Sequence, residues 1–555
     1  MTVQLETLQP APVDSAAEQV MVAMRDRVHL ATDVYLPAGS GPHPAVLVRL
    51  PYDKAGRYTF MPMLAPHITE RGYAFVVQDV RGKFRSGGET KPFIHEVEDG
   101  YDTLEWLVAQ PWSNGDVGMF GDSYYGFTQW AAVASGHPAL KAIVPRVTSA
   151  DLAFLNWSGP GVIALYGADY LAHYWADQPI HFFEPDWSHR PLATIYDDAF
   201  AAIGARSWGF DQLIAQQTRG VPVIDPYRGS HPFDRVSIPV LHGVGWFDNL
   251  APDSMRDYTA LTSRPDKAAL QYLDAASVDH ENYRLEDLPY TPDQFHDDND
   301  GVVRSMIPWY LAPSLGFFDA VLQGRLAEVP RVHWHLGNVG WRDAVAWPPA
   351  GARERRLYLA QADRAGHDPE GGLLLAEHEA AATEARWPHD PGDLVPSTVE
   401  DPFSFLFEYP DERTVETRPD VVTFTTEPVA APLDLVGPAA AYLRVATTGP
   451  SMHLFVKLLD VAPDGAAHML TRGQTQVDEP DPDRLERVDL NHLGYRLLPG
   501  HSLRLQVASS DFPLYLPHPG TDENPWLATA GAVNEQRLLT GGDRSSYLRL
   551  TVLPA

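Results

Sequence analysis

The chain contains no cysteine. Disulfides, a thiolate nucleophile and cysteine-ligated zinc are therefore excluded. It also lacks any apolar run near the roughly 18 to 20 residues that a membrane helix needs. The segment Met1 to Val20 holds acidic residues but no Lys or Arg and no apolar stretch, so it does not read as a secretory signal. The chain is therefore expected to be cytoplasmic and to act off the membrane. Positive charge is scarce: 42 Lys and Arg against 73 Asp and Glu leave a formal charge of −31. Such a surface repels phosphate backbones, which argues against a nucleic-acid partner. Its ordinary role is solubility; steering of cationic substrates is the sharper reading. At 555 residues the chain exceeds one ordinary core, and two or three domains are expected.

Three textures follow one another. From about Val20 to Arg146, short apolar runs alternate with helical periodicity. Val20–Met24 and Val28–Leu36 flank a turn and read as a hairpin. Ala45–Arg49 and Tyr73–Val77 are continuous apolar runs, as in strands buried on both faces. Val97, Tyr101, Leu104, Leu107 and Val108 recur at helical spacing. Strands alternating with helices predict a largely parallel sheet. From Val147 to Val236 aromatics are dense and strand alternation is scarce, which suggests a helical insertion dominated by Gly161–Trp175. Buried strand texture returns at Ile238–Val244, Ala269–Leu273 and Arg331–Leu336. Beyond Gly351, short strands such as Val421–Thr426, Leu454–Leu459 and Leu503–Val507 alternate with Pro- and Gly-rich turns, which predicts a β-sandwich or jelly roll. The acidic Asp478–Asp483 reads as an exposed loop. The fold class expected is α/β: a mainly parallel sheet domain at 1–146 and 237–350, a helical cap inserted at 147–236, and a C-terminal β-sandwich or jelly roll at 351–555.

The strongest local signal is Met119-Phe-Gly121-Asp-Ser123-Tyr-Tyr-Gly126. A short strand runs into Gly-x-Ser, and a helix, Phe127–Ala134, is expected to follow. That is the context of a nucleophile elbow, in which a sharp turn lifts the Ser hydroxyl to the sheet's carboxyl edge. The common form is Gly-x-Ser-x-Gly; here position 125 is Tyr and the glycine falls at 126. A Ser hydroxyl needs a base, and the base needs an orienting carboxylate. In this fold they follow in the order Ser, acid, His, each after a strand. Asp248 follows the Ile238–Val244 strand, in Gly245-Trp-Phe-Asp248. His280 follows the Ala269–Leu273 strand and is preferred on position to His296, which sits in the acidic, solvated-looking stretch Phe295–Asp300. The oxyanion hole draws one donor from the Tyr124 backbone N–H. A second is expected from the loop after Ala45–Arg49, where Tyr52 offers a phenol.

These residues carry a resemblance. The chain resembles the cocaine esterase and X-Pro dipeptidyl-peptidase family, which also includes α-amino acid ester hydrolases and related acylases. The likeness rests on Arg49-Leu-Pro-Tyr52-Asp-Lys54, Asp79-Val-Arg-Gly82, Gly118 to Trp130 around Ser123, Ser149-Ala-Asp-Leu152 with Trp157-Ser-Gly-Pro-Gly161, Gly245-Trp-Phe-Asp248 and Trp341-Arg-Asp343. The family's elbow reads Gly-x-Ser-Tyr-x-Gly, so Tyr125 and Gly126 fit it. The resemblance implies that the Tyr52 hydroxyl donates to the oxyanion and that the cap and jelly roll are present. Trp157 is carried over as a substrate contact. Cocaine esterase-like members tend to carry a Trp just before the catalytic His; here Asp279 stands there.

The expected activity is that of a serine hydrolase cleaving an ester or activated amide of a small molecule, with no cofactor and no metal. An X-Pro dipeptidyl peptidase or amino acid ester hydrolase is the first alternative. It would need cap carboxylates to grip an ammonium, for which Asp169, Asp177, Glu184, Asp186, Asp197 and Asp198 are available. A catalytically silent carbohydrate- or peptide-binding protein is the second. Self-association stays open. Asp297–Gly301 lacks the bidentate Glu of a calcium loop, and His333 with His335 lacks a third ligand, so both are read as structural. Arg81 is read as an ion-pair partner.

Overall fold

Alternating apolar side chains along each central strand face opposite ways, and both sets are buried. Ala45 and Leu47 pack into one core with Leu104, Leu107 and Trp130. Val46, Val48 and Leu50 pack into another with Met61, Leu64, Tyr310 and Phe317. This two-sided burial is why these strands read as continuous apolar runs. The computed structural model describes residues 4–153, 161–215, 224–284, 299–366, 371–399 and 410–554.

In chain order the strands begin with β1 (Glu6–Leu8), β2 (Glu18–Ala23), β3 (His29–Tyr35), β4 (His43–Leu50), β5 (Ala74–Asp79), β6 (Ser113–Asp122) and β7 (Leu140–Arg146). They continue with β8 (Ile180–Phe182), β9 (Val240–Gly245), β10 (Gln271–Ala276), β11 (Val332–Leu336) and β12 (Gly340–Ala344). A ten-stranded sheet runs in the order β12-β11-β10-β9-β7-β6-β4-β5-β3-β2. Its pairs from β5 to β11 are parallel, and the antiparallel β2–β3 hairpin and β12 close its edges. In such a sheet ligands bind beyond the carboxyl ends of the strands. The loops after β4, β6, β9 and β10 open on that one edge.

The long connection between β7 and β9 carries helices Leu165–Trp175, Asp197–Ile203 and Trp208–Ala215. They share the sheet's own core: Leu165, Leu171, Trp175, Phe200 and Phe210 cluster with Tyr52, Phe93 and Tyr124. The chain is an α/β-hydrolase with this helical cap and a C-terminal β domain. In the latter, Leu357, Leu454, Val456, Leu505 and Leu550 fill one sandwich core.

Several expectations shift. Gly161–Trp175 becomes helical only from Leu165, because Ala164 is bridged to Tyr515 and the Leu165 N–H bonds the Leu514 carbonyl. The expected strand Ala269–Leu273 starts at Gln271, after a single turn of 3₁₀ helix at Ala268–Leu270. Asp300, read as part of an acidic loop, opens the helix Asp300–Leu322. Asn299 caps it, accepting from the Gly301 N–H at 2.9 Å. Pro308 and Pro313 hid that helix from sequence reading. His296 and Trp157 lie outside the described residues.

Three ions are sealed beneath the sheet edge. Lys54 Nζ lies 3.0 Å from Asp33 of β3 and 3.8 Å from Asp79 of β5, with all three side chains fully buried. Burial pushes Asp79 up to about 7 despite Lys54. Lys54→Met should strand two carboxylates and destabilise the fold by about 3–5 kcal/mol at neutral pH. Carboxylates whose folded pKa is raised contribute stability below their unfolded pKa and lose it as pH rises through the folded value. Denaturant melts of the variant should therefore recover part of the loss on acidification; a variant as stable as the parent at pH 7 would remove this ion from the account.

Candidate active site

Strand β6 ends at Asp122 in extended conformation, and the helix Ser123–Ser135 begins at once, with Ser123 at φ 51°. A non-glycine residue in the left-handed region is strained and marks a functional turn. Two glycines make the turn. A Cβ on Gly121, at φ 142°, would lie 2.1 Å from Tyr125 Cδ2. One on Gly126 would lie 2.4 Å from Thr148 Cγ2. Gly-x-Ser-x-x-Gly thus serves this elbow, because the second glycine lies where the helix passes Thr148. Thr148 Oγ1 donates to the Ser123 carbonyl at 2.6 Å.

The loop after β9 turns sharply, with the Asp248 N–H bonded to the Gly245 carbonyl at 3.1 Å. A Cβ on Gly245 would lie 2.6 Å from the Val278 carbonyl, so glycine lets the Asp248 loop press against the His280 loop. His280 Nδ1 lies 2.7 Å from Asp248 Oδ1, and the Asp248 side chain is fully buried. Burial opposes the charged imidazole, but the Asp248 carboxylate, with Glu281 and Asp122 adding to it, outweighs burial, and the His280 pKa is raised.

Tyr52 follows β4 and is buried. Burial pushes its hydroxyl up to about 12. The Tyr52 hydroxyl donates to the Tyr170 hydroxyl at 3.4 Å. The Tyr124 side chain points elsewhere: its hydroxyl bonds Glu96 at 3.0 Å and accepts the Phe93 N–H at 2.7 Å. Only its backbone is available to the site.

Sequence reading missed the tyrosines around Tyr52. Tyr58 and Tyr174 present edges to it at ring-centroid distances of 5.9 and 5.5 Å. Tyr170 and Tyr174 stand one helical turn apart, a spacing that could have drawn attention to them. Four of the six candidate cap carboxylates, Asp169, Asp177, Asp186 and Asp197, have side-chain partners. Asp169 accepts from the Tyr196 hydroxyl, Asp197 pairs with Arg206 at 2.6 Å, and Asp186 accepts from Ser188. Arg81 is an ion-pair partner, 2.7 Å from both Asp99 and Asp26. His333 pairs with Asp343 and His335 with Ser277. Among the described residues, no cluster of potential metal ligands occurs, and no helix is long and apolar enough to cross a membrane.

A doubly covered parallel sheet with a strand–serine–helix elbow defines the α/β-hydrolase class. Comparison with known proteins narrows it. Residues 26–274 match the X-Pro dipeptidyl-peptidase (S15 family) model, and residues 327–549 match the X-Pro dipeptidyl-peptidase C-terminal non-catalytic domain. Cocaine esterase of Rhodococcus sp. (strain MB1 Bresler) is 31% identical, covering 90% of this chain and 92% of that protein. An aminopeptidase from a marine sediment Thaumarchaeota archaeon superposes with a TM-score of 0.78 at 26% identity, covering 97% of this chain and 96% of that one. An α-amino acid ester hydrolase superposes with a TM-score of 0.76 at 26% identity, covering 98% of each chain. The chain belongs to this family of serine hydrolases, which joins cocaine esterase and the S15 peptidases, and it is an enzyme of the esterase class.

The His280–Asp248 pair is open to direct measurement. The imidazole should titrate above 6.5 by NMR, since its charged form is held by Asp248. Asp248→Asn should bring that value down, because burial then acts with less opposition. A value unmoved by the substitution would mean that the 2.7 Å contact carries no charge interaction.

Proposed function

We propose that Ser123, His280 and Asp248 form a catalytic triad that transfers the acyl group of a small carboxylic ester to water. The observation that carries this reading is the 2.7 Å bond from His280 Nδ1 to Asp248, on the sheet edge where Ser123 stands in its strained turn. That bond makes Nε2 the basic nitrogen. His280 takes the Ser123 proton as Oγ attacks the carbonyl, and Asp248 stabilises the imidazolium. The Tyr52 hydroxyl and the Tyr124 N–H receive the oxyanion. His280 then protonates the leaving group and activates water against the acyl-enzyme.

An ester is favoured over an X-Pro peptide because four of the six cap carboxylates, Asp169, Asp177, Asp186 and Asp197, are engaged by other side chains. Activated amides are the alternative substrates. Trp157 is retained as a substrate contact, and the division into 1–146 with 237–350, 147–236 and 351–555 as the domain boundaries.

Ser123→Ala should stay folded, lose essentially all esterase activity and lose labelling by a fluorophosphonate probe. Activity within tenfold of the parent would sink the assignment. Tyr52→Phe removes one hydroxyl and keeps the ring, so kcat should fall about 10²- to 10³-fold, or about 2.7–4 kcal/mol, with little change in KM. A near-normal kcat would leave Tyr52 a packing role only.

A further inference from the structure

The loop that carries His280 is a closed turn. Val278 and Arg284 form an antiparallel bridge across its base. Inside it the Asp279 N–H bonds the Tyr283 carbonyl at 3.2 Å, the Asn282 N–H bonds the Asp279 carbonyl at 3.2 Å, and Asp279 Oδ1 accepts the Tyr283 N–H at 2.9 Å. Three consecutive side chains at its tip reach three different catalytic elements. His280 meets the Asp248 loop. Glu281 Oε1 accepts the Tyr58 hydroxyl at 3.0 Å, on the loop that bears Tyr52. Asn282, at φ 65°, donates from Nδ2 to Asp122 Oδ2 at 2.9 Å, on the residue just before Ser123.

Each tether is chemically specific. Asn282 offers a donor and an acceptor on one planar amide and tolerates the left-handed backbone. It gives its donor to Asp122 and its acceptor to Arg146 Nη2 at 2.8 Å, while Arg146 Nε binds Asp122 Oδ1 at 3.0 Å. Tyr310 donates to Asp122 Oδ2, the oxygen that Asn282 binds, at 3.1 Å. The elbow and the base loop thus share one buried, charge-assisted network. On the other side, the Tyr58 ring packs edge-on against Tyr52 at 5.9 Å and 86°.

We propose that Glu281 and Asn282 are positioning residues: Asn282 keys the His280 loop to the nucleophile elbow, and Glu281 keys it through Tyr58 to the oxyanion loop. This rests on the triad proposed above. A base loop displaced by about 1 Å costs up to about 10² in rate, because proton transfer needs the reacting groups within hydrogen-bond reach. Substrate binding should be spared, since neither residue is assigned a substrate contact.

The test compares Glu281→Ala, Glu281→Gln, Asn282→Ala and Tyr58→Phe by p-nitrophenyl acetate kinetics, fluorophosphonate labelling rate and thermal melting. Glu281→Ala, Asn282→Ala and Tyr58→Phe should each lower kcat and labelling about 10- to 100-fold, with KM within about twofold. Glu281→Gln keeps an acceptor for Tyr58 and should restore most of the rate. The double variant Glu281→Ala with Tyr58→Phe should be no slower than the worse single one. Should Asn282→Ala fail to fold, the Glu281 and Tyr58 variants still decide their half of the proposal, and Asn282→Asp, which sets a carboxylate against Asp122, decides the other by the same loss of kcat. Normal kcat in the folded variants, a rise in KM alone, or no rescue by Gln would overturn the proposal. A parent enzyme that fluorophosphonate does not label would instead overturn the triad itself.

Discussion

Ser123 holds a left-handed backbone, φ 51°, where β6 hands over to a helix. Such a conformation costs on the order of 1–3 kcal/mol and persists only where the surroundings over-determine it. Here they do. Gly121 and Gly126 leave room for Tyr125 and Thr148, and Thr148 Oγ1 holds the Ser123 carbonyl from the far side of the turn. Gln129 ties the helix's second turn to the Gly121 carbonyl at 3.1 Å. In the mechanism proposed above, this turn fixes where Oγ meets its base and its oxyanion donors.

Buried ions stand at the root of the surrounding loops. Lys54 joins the Tyr52 loop to Asp33 and Asp79. Arg49 pairs with Glu96 at 2.9 Å, and Glu96 in turn accepts the Tyr124 hydroxyl. Arg146 binds Asp122 under the elbow. Charges taken out of water are costly unless paired and hydrogen-bonded, so each pair admits few alternative arrangements of the loop it anchors. Rigid loops suit a site that must hold hydrogen-bond donors in place before charge develops on a substrate.

The cap and the β domain brace two of these loops. Tyr170 and Tyr174 bring the cap helix against Tyr52. Trp246, two residues before Asp248, stacks on Trp347 at 4.9 Å and donates to the His335 carbonyl at 2.9 Å. A Cβ on Gly494 of the β domain would fall 2.3 Å from Trp246 Nε1. The Asp248 loop is thereby backed by the β domain as well as by its own sheet.

Periodicity, strand-end position and the Gly-x-Ser turn are local properties, and they made the parallel sheet, the elbow and the candidates Ser123, Asp248, His280 and Tyr52 legible from the amino-acid order. Burial on both faces left its mark in Ala45–Val48 and Tyr73–Val77 because the side chains there are aliphatic or aromatic. Pro308 and Pro313 erased the same kind of signal from a 23-residue helix. The tertiary structure alone brought Tyr58 to Glu281 across 223 positions and Asn282 to Asp122 across 160. Such pairs leave no periodic trace, since each residue suits an ordinary loop on its own. They become partners only when the carboxyl ends of β4, β6 and β10 converge on one edge of the sheet.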